Sequence, residues 1–103
     1  MKRNEEMSRI GIYAIVNTVT GKTYIGMART SFGVRWSTHR STLNRQCHEN
    51  RYLQEDWLKY GADAFEFRIL EVFSGDASRG YGRNRERAHK KQINAPLYNI
   101  RDW

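Results

Sequence analysis

The chain has one cysteine, Cys47, and one proline, Pro96, among 103 residues. A single cysteine excludes an internal disulfide and fits a reducing compartment. No apolar run approaches the roughly 20 residues of a membrane-spanning helix. The N-terminus, MKRNEEMSRI, is charged and lacks the apolar centre of a signal peptide. A nucleophilic triad, a phosphate-cradling glycine loop and a dinucleotide fingerprint are all missing, as are repeats and low-complexity tracts. Acidic residues are scarce: 11 Asp and Glu stand against 18 Lys and Arg, for a net charge of +7 and a pI near 9.9. That imbalance favours a polyanionic partner, nucleic acid before an acidic membrane surface. What remains is the expectation of a soluble, cytoplasmic protein of one domain, with room for a single modest core.

What is present alternates between two periodicities. Residues 1–9 read as a loose polar lead-in to a domain over 10–103. Ile10 to Asn17 is apolar and β-branched, which predicts a strand. NTVTGK follows as a turn, with Gly21 as its permissive residue, and Lys22 to Met27 returns. From Ser31, a plausible N-cap, to Asn44 the pattern is helical, with Phe32, Val34, Trp36 and Leu43 among polar residues. ENRYLQEDWLKYG predicts a second amphipathic helix, with Leu53 and Trp57 four apart, Leu58 beside them and Gly61 as its stop. AFEFRILEVF predicts a third strand, SGDASRGYG a flexible loop, Arg83 to Ile93 a charged helix ended by Pro96, and LYNI an extended end. The fold class expected is α/β: a small three-stranded antiparallel sheet flanked by helices.

Two blocks of the hairpin, Gly11-Ile12-Tyr13 and Tyr24-Ile25-Gly26, each place a tyrosine beside an isoleucine and a glycine. Side chains alternate faces along a strand. An even number of loop residues sets Tyr24 opposite Ile15 or Asn17, on the face of Tyr13. Ile12, Ala14, Val16 and Ile25 then face the other way, into a core. An odd loop separates the tyrosines. From the hairpin alone, ordinary aromatic strand pairing explains them as well.

Arg35 and His39 are four apart and share a helix face. Arginine offers a planar fork suited to phosphate, and histidine moves a proton near neutral pH. A solvated polar face accounts for the same pair. Arg29 and Arg40 flank them as possible phosphate contacts. Glu86 is the single acid among six basic residues, Arg79, Arg83, Arg85, Arg87, Lys90 and Lys91. It reads either as a charge-paired surface residue or as a hard oxygen ligand for Mg²⁺, with the cations around it holding a nucleic-acid backbone. Cys47, His48, His39 and His89 lack paired spacing, so zinc is a weak reading and Cys47 is expected to pack as a small apolar group. Trp36, Trp57, Phe65 and Phe67 are expected in the core.

Together these residues resemble the GIY-YIG nuclease domain. The two tyrosine blocks match its naming motifs letter for letter, Arg35 falls at its helix arginine and His39 one turn later. KYGADAFEFRILE resembles its next helix end and third strand. Glu86 falls at its metal-binding glutamate and Asn99 of PLYNI at its closing asparagine. The resemblance runs from about Ile10 to Ile100. It implies hydrolysis of DNA phosphodiester bonds with one divalent ion, Mg²⁺ or Mn²⁺, held by Glu86. It further implies charge stabilisation by Arg35, proton removal from water by Tyr13 or His39, orientation by Tyr24 and a steadying role for Asn99. One stretch departs: His89 and Lys90 stand where the family shows an aromatic and an aliphatic residue. The alternative is a DNA-binding module that keeps the fold without turnover. A basic structural or protein-interaction domain explains the charge but not the matched positions.

Overall fold

The computed structural model describes residues 3–74 and 79–99. The elements are α1 (Arg3–Met7), β1 (Gly11–Asn17), β2 (Thr23–Ala28), α2 (Phe32–Asn44), α3 (Arg51–Tyr60), β3 (Phe65–Val72) and α4 (Arg79–Gln92). The strands form one antiparallel sheet in the order β2-β1-β3. The central strand, β1, is buried along its whole length, which is why GIYAIVN is nearly all apolar.

The hairpin has the parity that brings the tyrosines together. Val16 pairs with Thr23 and Ile15 with Tyr24. Asn17 closes the turn: its side-chain oxygen accepts from the Val19 N–H at 3.0 Å, and its backbone N–H donates to Lys22 O at 2.9 Å. Gly21 takes the positive φ of 81° that the turn requires.

The two faces of the sheet have separate cores. Tyr13 and Ile15 face Phe32, Trp36 and Leu43 of α2 and Leu53 and Trp57 of α3, with Phe67 of β3 completing the cluster. Ile12, Ala14, Val16 and Ile25 face the other way, with Phe73, Ile93 and Leu97. Helix capping follows the sequence. The Ser31 side chain accepts from Val34 N–H, and Asn50 accepts from the N–H groups of Tyr52 and Leu53. Gly61 ends α3 at φ 88°.

Several expectations are corrected. The lead-in is not loose: Arg3–Met7 is helical, and Met7 packs on the first core. Val34 and Leu58 are exposed, and so is Cys47. The loop expected over 74–82 is helical from Arg79 onward, and residues 75–78 lie outside the described ones. Glycine weakens a helix interior, but at Gly82 a Cβ would collide with Met27 Sδ, so the missing side chain lets α4 lie close on β2. Among the described residues no helix is long and apolar enough to cross a membrane.

The end of the chain covers the free edge of β2. Thr23 N–H donates to Pro96 O at 2.9 Å, and Tyr98 N–H to Thr23 O at 2.7 Å. Asn99 then mimics one more residue pair with its amide, donating to Ile25 O at 2.9 Å and accepting from Ile25 N–H at 3.0 Å. An edge strand closed this way offers no free ladder to a second chain at Thr23 and Ile25. Ile100, the last residue of the expected extended end, lies outside the described residues.

Candidate active site

The glycine of the second block explains the tyrosine of the first. Tyr13 pairs with Gly26, and a Cβ at Gly26 would collide with the Tyr13 ring and hydroxyl. Without that Cβ the phenol lies across β2 toward α2. The Tyr13 and Tyr24 rings are 6.5 Å apart, and His39 lies 5.5 Å and 5.3 Å from them. The shared face of Arg35 and His39 on α2 is the one turned to these tyrosines.

Tyr13 heads a chain of hydrogen bonds running from the core to the α2–α3 connection. Its hydroxyl meets His39 Nε2 at 2.5 Å, His39 Nδ1 meets His48 Nε2 at 2.7 Å, and His48 Nδ1 accepts from the Asn50 backbone N–H at 3.0 Å. Burial, helped by Arg35 and His48, pulls His39 down to about 3, and burial also lowers His48. Both rings are therefore neutral near pH 7, and the backbone donor fixes the direction of the whole chain. His48 Nδ1 carries no proton, so Nε2 does and donates to His39 Nδ1. His39 is then protonated at Nε2 and donates to the Tyr13 oxygen.

Tyr13 and His39 are buried, whereas Tyr24, Arg35, His48 and Glu86 are only partly covered. Arg35 separates two open hollows of about 390 and 250 Å³, the first reaching Arg29 and the second His48 and Glu49. Burial raises the Tyr13 phenol well above its ordinary value, with Tyr24 adding and Arg35 opposing. Tyr24 is raised chiefly by burial, again against Arg35, with Glu49 and Glu86 adding. The charge of Glu86 on α4 thus acts on both phenols.

One oxygen of Glu86 pairs with Lys90 Nζ at 2.9 Å, one helical turn on. Among the described residues no group of three His, Cys, Asp or Glu side chains could hold a metal ion. Glu86 fits a hard cation as a lone, partly exposed carboxylate, the arrangement in which Mg²⁺ takes its other oxygens from water and phosphate.

A family profile described as the GIY-YIG catalytic domain matches residues 9–99. The chain belongs to the GIY-YIG family. It is 36% identical over 94 residues to intron-associated endonuclease 1 of Enterobacteria phage T4, a match covering 89% of this chain and 37% of that protein. It is 41% identical over 64 residues to probable intron-encoded endonuclease 1 of Neurospora crassa, covering 62% of this chain and 19% of that one. The chain therefore spans little more than a third of the first relative and about a fifth of the second. The solved catalytic domain of homing endonuclease I-TevI superposes with a TM-score of 0.82 at 34% identity, covering 91% of this chain and all of that one. A mutant of that domain superposes equally well.

In this GIY-YIG chain, Tyr13, Tyr24, Arg35 and His39 come together, the charge of Glu86 acts on both tyrosines, and Asn99 pins β2 at Ile25. The basic residues divide. Arg29, Arg40, Arg83, Arg87 and Lys91 are exposed, Arg40 with its guanidinium 4.4 Å from the centre of the Phe67 ring. Two others are engaged with carboxylates. Arg85 binds Glu71 of β3 at 2.8 Å. Lys90 is buried against Glu86. Arg79 opens α4, and its side chain lies outside the described residues.

The departure in α4 has a physical counterpart in β3. His89, where the family shows an aromatic residue, binds Glu71 Oε1 at 2.8 Å, the same oxygen that Arg85 binds. A polar cluster on Glu71 ties down the helix where large apolar contacts were expected. Sequence reasoning missed the placement of His48, weighing it only for zinc. It lies nine residues past His39, beyond the helix, and only the turn into α3 brings it back.

Proposed function

We propose that this chain is the catalytic domain of a divalent-metal-dependent DNA endonuclease. The observation that carries this reading is the convergence of Arg35, Tyr24 and Glu86 over the buried Tyr13–His39 pair, in a protein with a net charge of +7. Arg35 is partly exposed and would set its fork of donors on a phosphate oxygen, stabilising the charge that builds there. Glu86 would hold the ion, which when bound polarises the scissile phosphate and stabilises the leaving oxygen. Tyr24 would orient the attacking water. Asn99 would hold Ile25 in place, and with it the backbone between Tyr24 and Gly26. Arg29, Arg83, Arg87 and Lys91 would meet the DNA backbone.

Between the two candidate bases the hydrogen-bond direction favours Tyr13. Both ring nitrogens of His39 are engaged, and its Nε2–H points at Tyr13. His39 thus stabilises a phenolate and does not take its proton. Burial raises the Tyr13 phenol, so only a small fraction is ionised near pH 7, and that fraction grows tenfold with each pH unit. The cleavage rate should then climb about tenfold per unit across pH 6–9. A His39 base, pulled down to about 3, would be ready throughout and give a flat profile.

Plasmid nicking with and without Mg²⁺, by the wild type and by Glu86→Gln, tests the function. Metal-dependent cutting by the wild type, and a loss of on the order of a thousandfold in Glu86→Gln, is the expected result. Salt-sensitive DNA binding without any cutting would overturn it and leave the non-catalytic DNA-binding reading.

A further inference from the structure

Lys90 is an unusual partner for a carboxylate meant to hold a metal ion. Its side chain is 4% exposed, and its Nζ lies 2.9 Å from Glu86 Oε2, whose own side chain is 22% exposed. The pair is built into one face of α4, at i and i+4, so the ammonium is tethered beside the carboxylate. A buried lysine is stable there only while its charge is matched, and Glu86 supplies the match.

The consequence for a divalent ion follows from charge alone. An ion approaching Glu86 meets a pair whose net charge is zero, and the ammonium repels it at short range. Among the described residues no cluster of further acidic or imidazole ligands compensates. The missing negative charge has to arrive with a phosphate, which also brings hard oxygen ligands. We infer that Lys90 is an internal counter-cation that keeps Glu86 from holding a divalent ion until nucleic-acid phosphate is in place. The metal and DNA are then coupled ligands, each raising affinity for the other by the same factor. This inference rests on Glu86 being the metal ligand. Lys90 acts through Glu86 and is a positioning residue.

The test is Mn²⁺ binding followed by electron paramagnetic resonance, with no cleavage readout. The free wild-type protein should bind Mn²⁺ weakly. Adding a short DNA duplex should raise the affinity at least about tenfold, over a background set by Glu86→Gln with the same duplex. Lys90→Met should bind Mn²⁺ at least about tenfold more tightly than wild type without DNA, and Lys90→Met combined with Glu86→Gln should lose that gain. Melting curves establish which variants fold, and Lys90→Gln, uncharged but polar, replaces Lys90→Met if the latter does not. Equal Mn²⁺ affinity of wild type with and without duplex, measured over that background, overturns the inference. So does a folded Lys90 variant that binds no better than wild type. If Glu86→Gln still abolishes the duplex-dependent binding, the metal assignment stands and only the role of Lys90 falls. If the double variant binds as tightly as Lys90→Met, the ion does not sit on Glu86 and both fall together.

Discussion

The two faces of the sheet are covered in opposite ways. On the face of Tyr13, α2 and α3 bring Phe32, Trp36, Leu43, Leu53 and Trp57, and the contacts are apolar and aromatic. On the other side, α4 carries few large apolar residues; beside the ring contact of Tyr81 with Phe73, polar side chains tie it to β3. Glu71 of β3 binds Arg85 and His89. The two kinds of contact respond differently to perturbation. Buried apolar contacts carry no charge for salt to screen or mild acid to titrate, whereas partly exposed ion pairs are screened by one and titrated by the other. The protein therefore carries its tyrosines, Arg35 and His39 on the stiff side and Glu86 on the side that salt and pH can loosen.

The sharpest way to break the stiff side is Trp36→Ala. Trp36 is 1% exposed and its ring packs on Tyr13, Phe32 and Phe67. Removing a buried indole costs about 3–5 kcal/mol, a large share of a small domain's stability. Urea denaturation should show that loss unchanged between low and high salt. A loss under about 1 kcal/mol would mean that the aromatic cluster does not carry this face.

Gly26→Ala attacks the same face at the site itself. The added methyl would collide with the Tyr13 ring and hydroxyl. Overpacking of this kind costs about 1–3 kcal/mol. The Tyr13 hydroxyl should also leave His39, so any cleavage activity should fall more steeply than stability does. A folded Gly26→Ala variant that cuts at the wild-type rate would separate Tyr13 from the chemistry.

The charged side is broken at Glu71. Glu71→Gln removes the Arg85 ion pair and weakens the His89 contact to α4 while keeping a hydrogen-bond acceptor. The Arg85 side chain is 37% exposed, so solvent screening limits the cost to about 1–2 kcal/mol. The effect should shrink in high salt. It should also depend on pH with a definite sign. Burial alone would raise the Glu71 carboxyl, but bonds from His89 and Arg85 outweigh it and hold the group below its ordinary 4.5. A carboxylate lowered on folding stabilises the native state above its unfolded value, and that contribution disappears as pH falls through the folded one. The wild type's advantage over Glu71→Gln should thus be full well above pH 4.5 and be lost as pH falls below 4.5 through the lowered folded value. A gap that persists in that acid range and in high salt would show that α4 is held by something other than charge.

The same contrast decides what could be read in the sequence. The stiff side was legible because its signals are local and periodic. The alternation in β1 and β2 puts both tyrosines on one face for an even hairpin loop, Ser31 and Gly61 mark helix ends, and the four-residue spacing puts Arg35 with His39. The charged side was not. Gly80 and Gly82 read as a loop because glycine disfavours helix, yet both are helical, and Gly82 packs closely on the Met27 side chain. The docking of Arg85 and His89 depends on Glu71, which lies across β3 and has no fixed spacing to α4. The place of His48 depends on the turn between α2 and α3 in the same way. Long-range polar pairing leaves no periodic trace, so it appears only with the fold.

The smallest effect on stability is expected at the exposed cations of α4. Arg83, Arg87 and Lys91 are exposed, and unlike Arg85 and Lys90 they have no ion pair among the described residues. Replacing all three by glutamine should change stability by no more than about 0.5 kcal/mol per site, because the docking contacts of α4 lie elsewhere. DNA affinity should respond instead. Every cation that no longer neutralises a phosphate lowers the slope of log affinity against log salt by about 0.9 for duplex DNA. The triple variant should therefore bind more weakly at low salt and converge on the wild type as salt rises, whatever the DNA sequence. If affinity and slope stay unchanged while the fold is intact, the outer face of α4 points away from DNA. The backbone contacts would then have to come from the Arg29 side of Arg35, and the charge on α4 would serve its docking alone.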